Sequence, residues 1–212
     1  MATTTSPARD TDATPGRGPL GAGLIRQTAT GLRLLLVLTV ILGVAYPAAV
    51  WAVAQVVANG RANGQIVEVD GSPVGSAIIG QAFDDPALFH SRPSATEYDG
   101  LASAASNLGP SNPDLLASIE ERRNAVAAEE GVAPADVPAD AITASGSGLD
   151  PHISPAYADI QAARVAEANG LSDATVHRLI TEYTAGRALG VLGEEGVNVL
   201  LLNIAIRDAV TD

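Results

Sequence analysis

The most prominent feature of the hydropathy pattern is an uncharged run, "LLLVLTVILGVAYPAAVWAVAQVVA", Leu34 to Ala58, with arginines at 26, 33 and 61 around it. Its 25 residues make roughly 38 Å of helix at about 1.5 Å per residue. A bilayer core of about 30 Å needs about 20 residues, so the run predicts a transmembrane helix over residues 31–59. Ala52-Val53-Ala54 imitates a signal-peptidase site, but signal cores are about 7 to 15 residues long, so an uncleaved anchor is the better reading. Ala45, Ala48, Ala49 and Ala52 fall at helical spacing and form a face of small side chains suited to close helix packing. Pro47 is expected to kink the helix. Before the run, residues 1–30 lack periodicity and read as a disordered tail.

Beyond the anchor the pattern changes period repeatedly. Gln65 to Phe83 reads as two strands around an Asp70-Gly71 turn. Phe83 to Pro113, dense in Ser, Pro, Gly and Asn, reads as an ordered irregular segment. Asn112 caps a helix with Pro113 at its first position, an apolar stripe of Leu115, Leu116, Ile119 and Val126, and Gly131 as its stop. A Pro- and Ala-rich connection, Val132 to Thr143, follows. Ser154-Pro155 repeats the cap-then-proline device for a helix running to Asn169, stopped by Gly170. Ser172 caps another, with Val176, Leu179, Ile180 and Tyr183 on one face. "VNVLLLNIAI", Val197 to Ile206, is nearly continuous in apolar residues and predicts a buried strand. The fold class is α+β: one N-terminal transmembrane helix followed by a single exported mixed α+β domain, residues 62–212.

Composition narrows the chemistry. Cysteine is absent, which excludes disulfides and thiolate metal sites. All 12 basic residues are arginine, so a Walker-type phosphate loop and Schiff-base chemistry lack their lysine. Four arginines against two acids precede the run, so the positive-inside rule puts the N-terminus in the cytoplasm and the rest outside. Residues 62–212 carry 22 acids and 7 arginines, a net charge of -15. That excludes nucleic acid as a partner. It would concentrate cations near a membrane mouth, or simply confer solubility.

The densest chemistry lies in "ASGSGLDPHISP", Ala144 to Pro155. Asp150 and His152 beside serines suggest hydrolysis, but no Gly-x-Ser-x-Gly elbow is present. The simpler reading has Asp150 and His152 bonding the loop's own backbone. Gly146 and Gly148 would supply backbone freedom, or present N–H groups to an anion ahead of the Ser154-capped helix. Arg92, in "FHSRPSA", either grips a carboxylate ligand or anchors a loop; the Ser- and Pro-rich setting favours the anchor. His90, His152 and His177 are scattered, without a His-Glu-x-x-His motif, and no metal site is expected.

The blocks "GSAIIGQAF", "FHSRPSA", "YDGLASAASNLGPSNPDL", "TASGSGLDPHISPAYADIQAARVA" and "GVNVLLLNIAI" occur in this order, and together they resemble the KdpC family, the C subunits of Kdp-type potassium-transporting ATPases. The resemblance implies a single-pass subunit of the plasma membrane, without catalytic residues, in an ATP-driven potassium import complex. Its implied partners are an ATP-hydrolysing P-type subunit, a potassium-channel-like subunit and the lipid bilayer. It further implies a role in assembly and, as a catalytic chaperone, in raising the ATP affinity of the hydrolytic subunit. No cofactor is then bound by the chain alone, and ATP only within the complex, with Gln161 approaching the nucleotide. Arginine bias, however, puts Gln161 outside. Arg92, Ser145, Gly146, Ser147, Gly148, Asp150, His152, Asn198 and Asn203 are expected to be structural or subunit-contact residues. Two other readings stay open: an anchored extracytoplasmic hydrolase with a Ser/His/Asp site around His152, and a stand-alone solute- or cation-binding domain.

Overall fold

A computed structural model describes the backbone of residues 20–211; residues 1–19, most of the expected tail, lie outside the described residues. The chain divides into two compact units, residues 1–59 and 60–212. In the first, helix α1 (Leu20–Val40) leads into a π-turn at Ile41–Ala45 and then helix α2 (Tyr46–Val57). The continuous stretch Gly23–Val57 is long and apolar enough to cross a membrane. Helix α1 begins at Leu20, so part of the stretch expected as tail is helical. Pro47, where a kink is expected, lies in the first turn of α2, directly after the π-turn. Proline has no N–H for the carbonyl one turn back, and a π-turn is one way a helix absorbs the missing bond.

The second unit opens with a single helical turn, α3 (Asn59–Ala62), which spans the boundary. The antiparallel hairpin β1 (Ile66–Val69) and β2 (Ser72–Ser76) turns at Asp70-Gly71, as the pattern predicts, with a bulge after Val67. Asp70 and Gly71 both have positive φ (50° and 74°), the backbone state such a tight turn requires. Residues 83–112 contain no helix or strand. Helix α4 (Pro113–Glu130) starts where Asn112 Oδ1 accepts from the N–H groups of Asp114 and Leu115, and ends at left-handed Gly131. Its burial is shallower than expected. Leu116 is exposed, Ala127 is the fully buried residue, and Ile119 and Val126 pack against the core from its edge.

The Pro- and Ala-rich connection contains a 3-10 turn (Pro134–Asp136) and helix α5 (Ala139–Ile142), whose Ala141 and Ile142 are buried. Strand β3 (His152–Ile153) precedes helix α6 (Pro155–Asn169), capped by Ser154 Oγ accepting from the Tyr157 N–H. Helix α7 (Asp173–Glu182) follows its Ser172 cap and buries Val176, Leu179 and Ile180. Strands β4 (Thr184–Ala185) and β5 (Gly196–Asn198) complete a three-stranded antiparallel sheet with β5 in the middle.

One expectation fails. The run Val197–Ile206 is not a strand: after β5 it becomes helix α8 (Val199–Thr211). The buried residues 199, 202, 203 and 206 recur at helical spacing, and the intervening exposure is too slight to break the apolar run. Asn198 caps the turn, with Oδ1 accepting from the Leu201 N–H at 3.1 Å. The core lies between α6, α7, α8 and the sheet. Phe89, from the irregular segment, and Ala158, Val165, Val176, Val197, Leu202 and Ile206 are all essentially inaccessible. The class is α+β with one long apolar helix at its N-terminal end.

Candidate functional site

Residues Ser145 to Asp150 and Arg92 to Tyr98 have no regular structure, yet each fixes the other. Ser145 is buried; its N–H donates to the Pro93 carbonyl at 2.9 Å. Its Oγ accepts from the N–H groups of Ser147 and Gly148. Ser94 Oγ donates to the Gly148 carbonyl at 2.7 Å and accepts from the N–H groups of Thr96 and Tyr98. The Tyr98 hydroxyl donates back to the Arg92 carbonyl at 2.7 Å, and burial pushes that hydroxyl's pKa above its ordinary value. Ser103 Oγ donates to the Ser147 carbonyl.

The glycines divide. Gly148 has φ of 70°, and a Cβ there would meet Thr96 Oγ1 and the Ala104 carbonyl, so both conformation and space demand glycine. Gly146 has no positive φ and nothing near its missing Cβ, so the backbone freedom expected of it is not required. Gly80, not singled out in the sequence, is just as tight. Its N–H donates to the Leu149 carbonyl, and a Cβ would run into the Asp150 carbonyl and the Tyr98 ring.

Arg92 anchors the loop through Nη1 to Asp150 Oδ2 at 3.1 Å and Nη2 to the Thr143 carbonyl at 3.3 Å. The other Asp150 oxygen accepts from the His152 N–H at 3.0 Å. Burial alone would raise the Asp150 pKa, but His152 and Arg92 outweigh it and hold the carboxyl below the usual range. The His152 ring lies 3.7 Å from that carboxylate, outside hydrogen-bond reach. Among the described residues no serine hydroxyl is bonded to the His152 ring. Ser154 Oγ donates to Asp140 at 2.8 Å and Ser145 Oγ serves the loop backbone, so the nucleophile–base contact of a serine hydrolase is not formed. An open cleft of about 480 Å³ is lined by Arg92, Asp150 and His152 of this site together with Asp140, Glu194 and Glu195. Asp140 is occupied by both the N–H and the hydroxyl of Ser154.

A second set of contacts, which sequence reading did not assemble, surrounds Phe89 and His90. Asn203 Oδ1 accepts from the Phe89 N–H at 2.7 Å, and Asn203 Nδ2 donates to the Phe89 carbonyl at 3.0 Å. Gln161 does the same to His90, accepting at 2.7 Å and donating at 3.3 Å. Two side-chain amides thus imitate neighbouring strands on either side of one extended segment. Gln161 is 0% exposed and presents no atom to solvent. Arg164 extends the clamp: Nε bonds the buried Glu130 carboxylate, Nη1 the Leu88 carbonyl, and Nη2 Gln161 Oε1. Asn169 Nδ2 reaches the Ala87 carbonyl at 2.7 Å. Asn198 Nδ2 joins β5 to the Ala77 carbonyl at 2.8 Å. The available sequence signal was a polar amide inside an otherwise apolar helical stripe, as at Asn203. Ala45, Ala48, Ala49 and Ala52 are exposed along the apolar helical stretch.

The architecture defines a class: a membrane-helix protein whose α+β domain uses its polar residues to hold its own loops. The family model "KdpC: K+-transporting ATPase, c chain" matches residues 28–208. A Kineococcus radiotolerans protein named potassium-transporting ATPase KdpC subunit is 60% identical, the match covering 88% of this chain and 95% of that one. A Sorangium cellulosum protein of the same name is 54% identical over 88% of this chain and all of its own. A Mycobacterium bovis counterpart is 51% identical over 85% of this chain and 97% of its own. The chain belongs to the KdpC family and is a subunit of a potassium-transporting ATPase complex.

Proposed function

We propose that the chain is a non-catalytic subunit that helps assemble an ATP-driven potassium import complex, with its α+β unit outside the membrane. Its partners on this reading are the ATP-hydrolysing P-type subunit and the channel-like subunit, with ATP bound only in the assembled complex. The observation that carries it is the internal use of the polar groups. Arg92, Ser145, Asp150 and Gln161 are spent on the protein's own backbone and carboxylates. Arg92 and Asp150 also border the open cleft, but Arg92 Nη1 and Nη2 and both Asp150 oxygens already have partners within the protein. Arginine asymmetry across residues 34–58 supports the orientation. With Gln161 buried, any effect on nucleotide affinity is exerted through subunit packing rather than by contact with ATP.

The test has two arms. A reporter fused after Asp212 should behave as exported; a cytoplasmic signal overturns the orientation. The full chain should copurify with the two transport subunits, and hydrolyse neither ATP nor esters alone. Ala48→Leu with Ala52→Leu should reduce that copurification at least several-fold while membrane insertion persists, since bulk separates helices packed on a small-residue face.

A further inference from the structure

His90 is held in an unusual electrostatic position. Its Nε2 lies 3.3 Å from the Asp85 carbonyl, an atom that can only accept, a contact that favours the tautomer with the hydrogen on Nε2. In a neutral imidazole Nδ1 is then a bare lone pair, and it faces Glu129 Oε1 at 3.4 Å. A metal ion between Nδ1 and the carboxylate, or a hydrogen on Nδ1, makes this contact attractive. The surroundings sharpen the demand. Glu129 and Glu130 are the last two residues of α4, at the negative end of its dipole, with no basic residue in the final turn. Arg164 neutralises Glu130, and among the described residues Glu129 has no cationic partner other than a protonated His90.

We propose that His90 Nδ1 and the Glu129 and Glu130 carboxylates form a binding site for a divalent transition-metal ion of the zinc type. The donor atoms of the three residues lie within 4.8 Å of one another. Two donors 3.4 Å apart, each about 2.0–2.1 Å from a shared zinc ion, subtend roughly 110° at the metal, close to tetrahedral. Imidazole with carboxylate is a donor set for zinc and its neighbours and not for the transported alkali cation, so the site is separate from potassium capture. The Asp85 carbonyl orients the imidazole and Arg164 orients the Glu130 carboxylate, the outer support that metal ligands ordinarily have. The His90 backbone is already fixed by Gln161, so the ion would tie the irregular segment to the end of α4.

The experiment uses tag-free full chain in detergent, stripped with a chelator and titrated calorimetrically with zinc chloride at neutral pH. We expect one site per chain and a rise in melting temperature on loading. Glu129→Gln, isosteric and half-exposed, should weaken binding at least tenfold with its metal-free melting temperature within a few degrees of wild type. His90→Ala should lose the site, and His177→Ala, remote from it, should keep wild-type affinity. Absence of zinc uptake by the wild type overturns the proposal, as does affinity in both Glu129→Gln and His90→Ala within threefold of wild type. A melting temperature that responds to pH but not to zinc assigns the contact to a protonated imidazole and also overturns it.

Discussion

Residues 88–98 and residues 99–111 are neighbours, both without helix or strand, and they end in opposite states. The first buries Leu88 and Phe89 and is gripped along its backbone; in the second Leu101 is 98% exposed and Leu108 is exposed as well. Part of the difference lies in their own side chains, such as Phe89, and part lies outside both segments. Buried backbone groups must find partners, and a segment that leaves the sheet can enter the core only if side chains supply them. The first receives Asn203, Gln161 and Arg164 from α6 and α8. The second has local turns, such as Asp99 Oδ1 accepting from the Leu101 N–H, and one tether from Ser103 to Ser147. Order in this irregular stretch thus depends on distant amides as well as on its own Phe89, Arg92 and Ser94.

Removing an amide should break the contrast most severely. Gln161→Ala strands the His90 N–H and carbonyl, deprives Arg164 of an acceptor and leaves a cavity at a fully buried position. We expect a loss of about 4 kcal/mol, from unsatisfied buried groups and cavity together. Denaturant unfolding of the full chain in detergent measures it. A loss below about 1 kcal/mol would mean that the segment holds itself. The same variant discriminates the ATP readings: a nucleotide contact would lower ATP affinity without this loss of stability.

Gly148→Val acts where the two loops meet. It forces a branched residue to φ of 70° and drives its Cβ into Thr96 and the Ala104 carbonyl. The expected cost is about 3 kcal/mol. Gly146→Ala, with open space and ordinary φ, should change stability by less than about 0.5 kcal/mol, and equal effects at the two glycines would refute this account.

How much of this was legible in the sequence depends on the range of the interaction. Asn112, Ser154 and Ser172 bond N–H groups two or three residues ahead, so the helix starts could be read locally. The turn at Asp70-Gly71 was legible for the same reason. The amide clamps join residues 71 and 114 positions apart, and no local pattern pairs them. Helix α8 was misread because the core touches nearly all sides of its first turns, which hides the 3.6 period, and Asn198 was not taken as its cap. In the loop Ala144–Pro155, the bond from Asp150 to the His152 backbone follows from proximity and was foreseen; the role of Gly80 depends on a crossing of chains that only the fold creates.

Acid should loosen the clamped side through Asp150. Its folded pKa is lowered, so it adds stability that is fully present above the unfolded value of about 3.9 and is lost as pH falls through the folded value. Asp150→Asn should cost about 1–2 kcal/mol at neutral pH, where Arg92 loses its charged partner. That gap should narrow as pH is lowered below about 4, since protonation removes the same charge from the wild type. Melting temperatures of both proteins between pH 3 and pH 7, at roughly the values bracketing that carboxyl, test the sign; a gap that widens in acid would be the wrong one.

The smallest expected effect is on the exposed side of the comparison. Leu101 contributes almost no buried area, so Leu101→Ser should shift stability by less than about 0.5 kcal/mol, as surface substitutions usually do. A single exposed leucine is ordinary on a protein surface, and its apolar area is available for a partner to cover. If this stretch contacts another subunit of the complex, Leu101→Ser should reduce copurification while the melting temperature stays fixed, the reverse of what Gln161→Ala does. A variant that copurifies as well as wild type places Leu101 away from the subunit contacts. A variant that melts several degrees lower would show that residues 99–111 are held by the domain after all, and the contrast between the two neighbouring segments would fail.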